Sequence, residues 1–254
     1  MRVLVTGSEG FIGKHVVRVL REEGHEVLEL DRLHPKDPQD LRTVDLSSYP
    51  CEGIIHLAAT SAVARCEEDA VENWEQNVLL TQRVARHAAA VGAKLVFASS
   101  AAVYGASEGL VDEQSPVRAV GNYGLAKLLS EQIVRAWAPR WAILRYFNVF
   151  GPGQKQGLHA LLVAAKESFV VYGDGLQTRD FIAVKEVAEM TAWAATSRWQ
   201  GVSNVCSGRG QRVKEVIVDC RPDLELQYEA PRPGEIRHSV GRGRGLLGQA
   251  LVCP

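Results

Sequence analysis

The run Thr6-Gly7-Ser8-Glu9-Gly10-Phe11-Ile12-Gly13 limits the fold more than any other feature of this chain. It follows a short β-branched run at residues 3–6. It opens an amphipathic stretch, residues 11–23, that stops at Gly24, a helix-end signal. Glycine accepts a tight turn and lets backbone N–H groups approach a pyrophosphate, while the helix N-terminus adds a favourable dipole. A strand before and a helix after separate this motif from an ordinary glycine turn. Gly7, Gly10, Phe11, Ile12 and Gly13 are therefore candidate dinucleotide ligands. Asp31, at the end of an expected strand over 26–30, can accept hydrogen bonds from both adenosine ribose hydroxyls and repels a 2′-phosphate. That favours NAD over NADP. Arg32 beside it pulls the other way, because a guanidinium pairs with phosphate.

Strand signals recur at 53–57, 94–99 and 141–146, and helical periodicity at 71–91, stopped by Gly92, and 123–138, closed by Pro139. This alternation predicts an α/β chain built on a doubly wound parallel sheet with right-handed crossovers. Two connections, 32–41 and 46–52, are too short for a helical crossover, so loops or single turns are expected there. After Gly151 the pattern loosens into a helix at 158–167, a strand at 169–172, a helix at 185–196 and a tail with Arg232, Arg237, Arg242 and Arg244. Residues 1–150 are expected to form the dinucleotide domain and 151–254 a small α/β lobe over the substrate, with returns to the main domain.

Composition excludes several alternatives. Lys plus Arg number 29 against 30 Asp plus Glu, so there is no basic field for nucleic acid. No apolar run approaches the roughly 20 residues that cross a bilayer. Val3-Leu4-Val5 stops at Gly7 and reads as a strand rather than a leader. The 5 cysteines show no Cys-x-x-Cys spacing, which fits a reducing cytoplasm, and the 7 histidines show no metal-ligand spacing.

Tyr123-Gly124-Leu125-Ala126-Lys127 puts a tyrosine and a lysine one helical turn apart on one face. A phenol of pKa roughly 10 is a poor base at neutral pH, and a neighbouring ammonium favours its phenolate. Ser99-Ser100 ends a strand, bringing hydroxyls to the carboxyl edge of the sheet, where doubly wound folds bind ligands. Together with His56-Leu57-Ala58-Ala59, the run Arg145-Tyr146-Phe147-Asn148-Val149-Phe150-Gly151-Pro152, Gly173-Asp174-Gly175 leading to Arg179-Asp180-Phe181, and Arg232-Pro233-Gly234-Glu235, these motifs resemble the extended short-chain dehydrogenase/reductases. Within them they are most similar to the NAD-dependent nucleotide-sugar epimerases and dehydratases. The matches run in family order over nearly the whole chain.

The resemblance implies a Rossmann-like fold, NAD as cofactor and a nucleotide sugar, a UDP-hexose, as substrate. It makes Tyr123 the base on the sugar hydroxyl, Lys127 the holder of the nicotinamide ribose that lowers the tyrosine pKa, and Ser100 the partner on the reacting oxygen. Asp45 and Leu46 fall beside the adenine, while Leu57, Ala58, Ala59, Asn77, Ser99 and Tyr146 line the cofactor. Asn148 touches the sugar diphosphate, Arg179 and Arg232 clamp it, and Glu235 meets the nucleotide ribose. His56 is expected to pack at its strand end. The helices over 71–91 and 123–138 are those the family uses to form a homodimer. Dehydratases of the family carry an acid pair where this chain has Ala101 and Ala102, and decarboxylases a Glu at the Ala102 position. What remains is epimerisation at C4 of UDP-galactose and UDP-glucose. Ser239, seventh after the clamp arginine, suggests room for an N-acetyl group. Two alternatives stay open: an NAD(P)H-dependent reductase of a 4-keto nucleotide sugar, and a non-catalytic dinucleotide sensor. The ending Leu251-Val252-Cys253-Pro254 reads as a chain without a final helix.

Overall fold

The computed structural model describes residues 1–107, 109–231 and 235–242. The expectations for Arg232, Arg244 and the chain end lie outside them. Six strands form the central sheet: β1 (Arg2–Thr6), β2 (Glu26–Leu30), β3 (Gly53–His56), β4 (Lys94–Ser100), β5 (Arg140–Tyr146) and, much later in the chain, β9 (Gly201–Val205). Their order is β2-β1-β3-β4-β5-β9 and every pairing is parallel. This is a Rossmann-like doubly wound sheet. β3 and most of β4 are buried along their length, as strands covered on both faces must be.

Helices cover both faces. α1 (Phe11–Glu22) sits on one, with Val16, Val17 and Leu20 in the same apolar cluster as Val187, Ala188 and Met190 of the later helix α7 (Val184–Thr196). On the other face, the short α2 (Val63–Glu68) leads into a long helical stretch followed by α5 (Gly121–Trp137), and Val84, Ala85, Ala88 and Val134 close the second cluster. The long stretch is not the uniform helix that periodicity predicts. It runs as α3 (Ala70–Asn73), a π-helical segment Trp74–Leu79, and α4 (Leu80–Val91). Single π turns inside α-helices recur at functional sites. The shortened crossovers behave as expected: a single 3₁₀ turn, Leu46–Ser48, is the one helical piece described between β2 and β3.

Beyond β5 the chain builds the lobe from β6 (Asn148–Phe150), α6 (Leu158–Ala164), β7 (Ser168–Tyr172) and β8 (Thr178–Ala183). It returns to the main sheet through α7 and β9, then completes the lobe with β10 (Gly210–Arg212), α8 (Val213–Cys220), β11 (Glu225–Glu229) and β12 (His238–Ser239). β8 takes β6, β10 and β12 as neighbours, and β7 pairs β11 in parallel. Leu162, Val171, Ile217 and Leu224 form the lobe's small core.

Candidate active site

The sheet order reverses between β1 and β3, and the crevice beyond their carboxyl ends is where doubly wound folds bind ligands. The turn after β1 enters that crevice with no room to spare. A Cβ on Gly7, whose φ is +74°, would lie 2.6 Å from Ala58 N, and one on Gly13 would lie 2.1 Å from Gly7 O. The first turn of α1 has no side-chain cap and no acidic residue, so its N–H groups remain available to an anion. The Ser8 hydroxyl is buried there without a hydrogen-bond partner. A close-approach glycine cradle with an orphaned donor fits a dinucleotide pyrophosphate.

Asp31 holds this turn in place: Oδ2 accepts Glu9 N at 3.0 Å and Oδ1 accepts Leu33 N at 2.8 Å. Arg32 is exposed. Asp45 caps the 3₁₀ turn, accepting from Ser47 N at 2.9 Å, while Leu46 is buried below. Leu57 and Ala58 are half-buried at the end of β3, with Ala59 exposed beyond them. Asn77 lies in the π segment, fully enclosed. Its Nδ2 donates to Thr60 O at 3.0 Å and Asn73 Oδ1 at 2.7 Å, and its Oδ1 has no partner.

α5 brings Tyr123 and Lys127 beneath the end of β4. Ser100 hydrogen-bonds the Tyr123 phenol, and its Oγ also accepts Ala102 N at 3.2 Å. Burial pushes the phenol up to about 12, and the Ser100 bond draws it down. The Lys127 Nζ lies 5.9 Å from the Tyr123 ring centre and donates to Ala98 O at 3.0 Å. Burial brings that ammonium down to about 8. The lysine is also held by the strand carbonyl, and the Ser100 hydroxyl favours the phenolate. His56 packs at its strand end as expected, between the Thr6 and Thr81 hydroxyls at 2.7 and 3.2 Å.

Two residues expected to line the cofactor have their hydroxyls engaged inside the core. Ser99 Oγ donates to Glu131 Oε1 at 2.6 Å, and the Tyr146 hydroxyl lies 2.7 Å from Thr191 Oγ1. Neither hydroxyl is thus free for a ligand. In the lobe, Asn148 Nδ2 donates to Asp180 O at 3.2 Å, and Arg179 lies 3.5 Å from Glu235. Glu235 borders a cavity of about 840 Å³ that Tyr172, Gln177, Lys214 and Tyr228 also line. The catalytic trio does not line it. Arg179 and Glu235 are thus brought together in the lobe.

Sequence reasoning missed a buried polar network beneath the trio. Glu131 binds Arg145 through Oε1 at 2.9 Å and Oε2 at 2.8 Å, and Arg145 Nη1 donates to the Tyr104 hydroxyl at 3.0 Å. Tyr104 donates to Asn204 Oδ1 at 2.6 Å. One signal was available: Glu131 follows Lys127 by the same four-residue stride that links Lys127 to Tyr123.

Residues 3–206 match the NAD dependent epimerase/dehydratase family, and the chain belongs to it. It is an enzyme of a family that works with NAD. A UDP-glucose 4-epimerase from Corynebacterium glutamicum is 30% identical over 87% of this chain and 80% of its own. A UDP-N-acetyl-alpha-D-glucosaminuronate decarboxylase from Bacillus cytotoxicus is 28% identical over 86% and 78%. Among solved structures, MoeE5 in complex with UDP-glucose and NAD superposes with a TM-score of 0.92 at 31% identity, covering 100% of this chain and 94% of that one.

Proposed function

We propose that this enzyme interconverts the C4 epimers of a UDP-hexose, UDP-galactose and UDP-glucose, with NAD held through the cycle. One observation carries the reading. The residues that follow Ser100, Ala101 and Ala102, carry no acid or base. Elimination of water from a 4-keto sugar needs a proton donor and acceptor at that place, and alanine is neither.

NAD, when bound, supplies a site that takes and returns hydride at the sugar carbon. Tyr123 Oη accepts the proton of the 4-hydroxyl and gives it back, while Ser100 Oγ orients the same oxygen. Lys127 meets the nicotinamide ribose. Gly7, Gly10 and Gly13 admit the pyrophosphate, and Asp31 accepts from the adenosine ribose. Arg179, with Arg232, clamps the sugar diphosphate, and Asn148 and Glu235 complete its contacts. A fork of donors suits that task because it pairs with phosphate oxygens bidentately. Ser239 pairs with Arg179 across β12 and β8, and its small side chain favours acceptance of an N-acetyl group. The substrate lobe is the unit formed by β6 to β8 and β10 to β12.

Incubation with UDP-galactose and no added cofactor, followed by proton NMR, tests the reading. UDP-glucose should appear, and Tyr123→Phe should abolish this while NAD stays bound. No conversion even with NAD added overturns it. A homodimer belongs to the same proposal. Val71, Trp74, Leu125, Leu129 and Trp137 expose apolar surface on α3 to α5, an uncommon load of large side chains for a face left in water. A monomer by light scattering at micromolar concentration contradicts it. Residence in the cytoplasm accords with the buried thiols of Cys51, Cys66 and Cys206. No helix among the described residues is long and apolar enough to cross a membrane.

A further inference from the structure

The helix that carries Tyr123 and Lys127 has no cap of its own. Val120 precedes it with a side chain that accepts nothing, and the first N–H groups of any helix need partners from elsewhere. Two of them find Glu67, at the end of α2. Asn122 N donates to Glu67 Oε2 at 2.9 Å and Tyr123 N to Oε1 at 3.2 Å. The approach depends on Gly121, whose φ is +75° and on which a Cβ would lie 2.6 Å from Glu67 Oε1.

The same peptide is held at its other pole. Asn122 O accepts Asn73 Nδ2 at 2.9 Å. The peptide unit joined directly to the Tyr123 Cα is thus gripped at its carbonyl by Asn73 and at its N–H by Glu67. Asn73 in turn accepts from Asn77, which also donates to Thr60 O, the carbonyl that Cys66 Sγ faces at 3.5 Å. The first turn of α5 is therefore tied to the segment that follows Ala58 and Ala59.

We propose that Glu67 is a positioning residue for Tyr123, with Asn73 as its counterpart. Together they set the depth and rotation at which α5 presents the phenol to Ser100. A carboxylate is suited to this because it meets the positive end of the helix dipole and makes charge-assisted bonds. Glutamine retains one carbonyl acceptor in the same shape; alanine retains none. The inference rests on the reading of Tyr123 as the proton acceptor.

The test uses full-length enzyme carrying ring-labelled tyrosine, with the Tyr123 signal assigned from Tyr123→Phe. In Glu67→Ala the Tyr123 carbon signal should shift or broaden while the other tyrosine signals and the NAD Kd stay put. Turnover of UDP-galactose should fall by about tenfold or more in kcat with KM unchanged, since small misplacements of a reacting group are costly. Glu67→Gln, which keeps one of the two acceptors, should restore signal and kcat in part. An unchanged Tyr123 signal in Glu67→Ala overturns the inference, whatever substrate the enzyme takes. So does a loss in which all tyrosine signals and NAD binding fail together, which marks general unfolding. If Tyr123→Phe keeps its turnover, the role of Tyr123 fails instead, and the ring signal still decides whether Glu67 places it.

Discussion

Replacing Glu131 by glutamine should unfold this enzyme more readily than any exposed charge change, because the carboxylate is fully buried among donors. It accepts Ser99 Oγ at 2.6 Å, Arg145 Nε at 2.9 Å and Arg145 Nη2 at 2.8 Å. Glutamine can satisfy Ser99 with its carbonyl, but its amide N–H₂ then faces the guanidinium, donor against donor. Arg135, 3.9 Å from the same carboxylate, adds a second cation. Removing one partner of a buried pair costs about 3–5 kcal/mol. That is a large part of a total stability of about 5–15 kcal/mol. At about 2–4 °C per kcal/mol for a domain somewhat smaller than this one, the thermal midpoint should fall by roughly 6–20 °C. Circular dichroism at one fixed NAD concentration reads it, since bound cofactor itself raises the midpoint. The double variant Glu131→Leu with Arg145→Met removes both charges and should recover half or more of the loss, because two apolar side chains carry no desolvation penalty. A midpoint for Glu131→Gln within about 2 °C of the parent refutes the reasoning, as would a double variant no better than the single one.

Three further outcomes follow from the same geometry. Burial, and then the Lys127 charge, hold His56 down at about 3. The unfolded chain therefore binds one more proton between that value and about 6.5, and stability falls by about 1.4 kcal/mol per pH unit below 6.5. His56→Gln should flatten that slope in urea titrations, and equal slopes contradict it. A base must be deprotonated to act, and Tyr123 stands at about 12 while Lys127 stands at about 8. kcat/KM should consequently rise with pH across the neutral range, and a profile flat from about pH 6 to 8 contradicts this. Arg83 reaches from α4 to donate to Arg42 O at 2.9 Å and to Val44 O, holding the loop that carries Asp45 and Leu46. Arg83→Ala should weaken NAD about tenfold by calorimetry and leave nicotinamide mononucleotide untouched, since charged hydrogen bonds are worth about 1.5–3 kcal/mol each. Equal loss for both ligands rules out a role at the adenine end.

What was legible in the sequence is what a local constraint fixes. Gly7 and Gly13 can be read because the backbone of a strand-to-helix turn leaves no room for a Cβ, and the spacing alone reveals it. Tyr123 and Lys127 can be read because one helical turn puts them on one face. The trimmed connections before β3 can be read by counting residues against the length of a crossover. The lobe resists this kind of reading. β10 and β12 span three and two residues, too few to show a period, and they exist because β8 lies between them. The π segment is hidden for another reason: α and π turns differ in which carbonyl accepts, while the hydropathy pattern of Trp74–Leu79 serves either. Glu131 and Glu67 are hidden for a third. A buried or capping carboxylate is defined by its partner, and those partners sit on β5 in one case and just after a left-handed Gly121, at Asn122 and Tyr123, in the other. Both carboxylates act on α5, one below its catalytic face and one at its start. The helix that carries the reacting groups thus depends for its placement on contacts distant in sequence. Motif residues name the chemistry, and carboxylates outside the motifs fix where it happens.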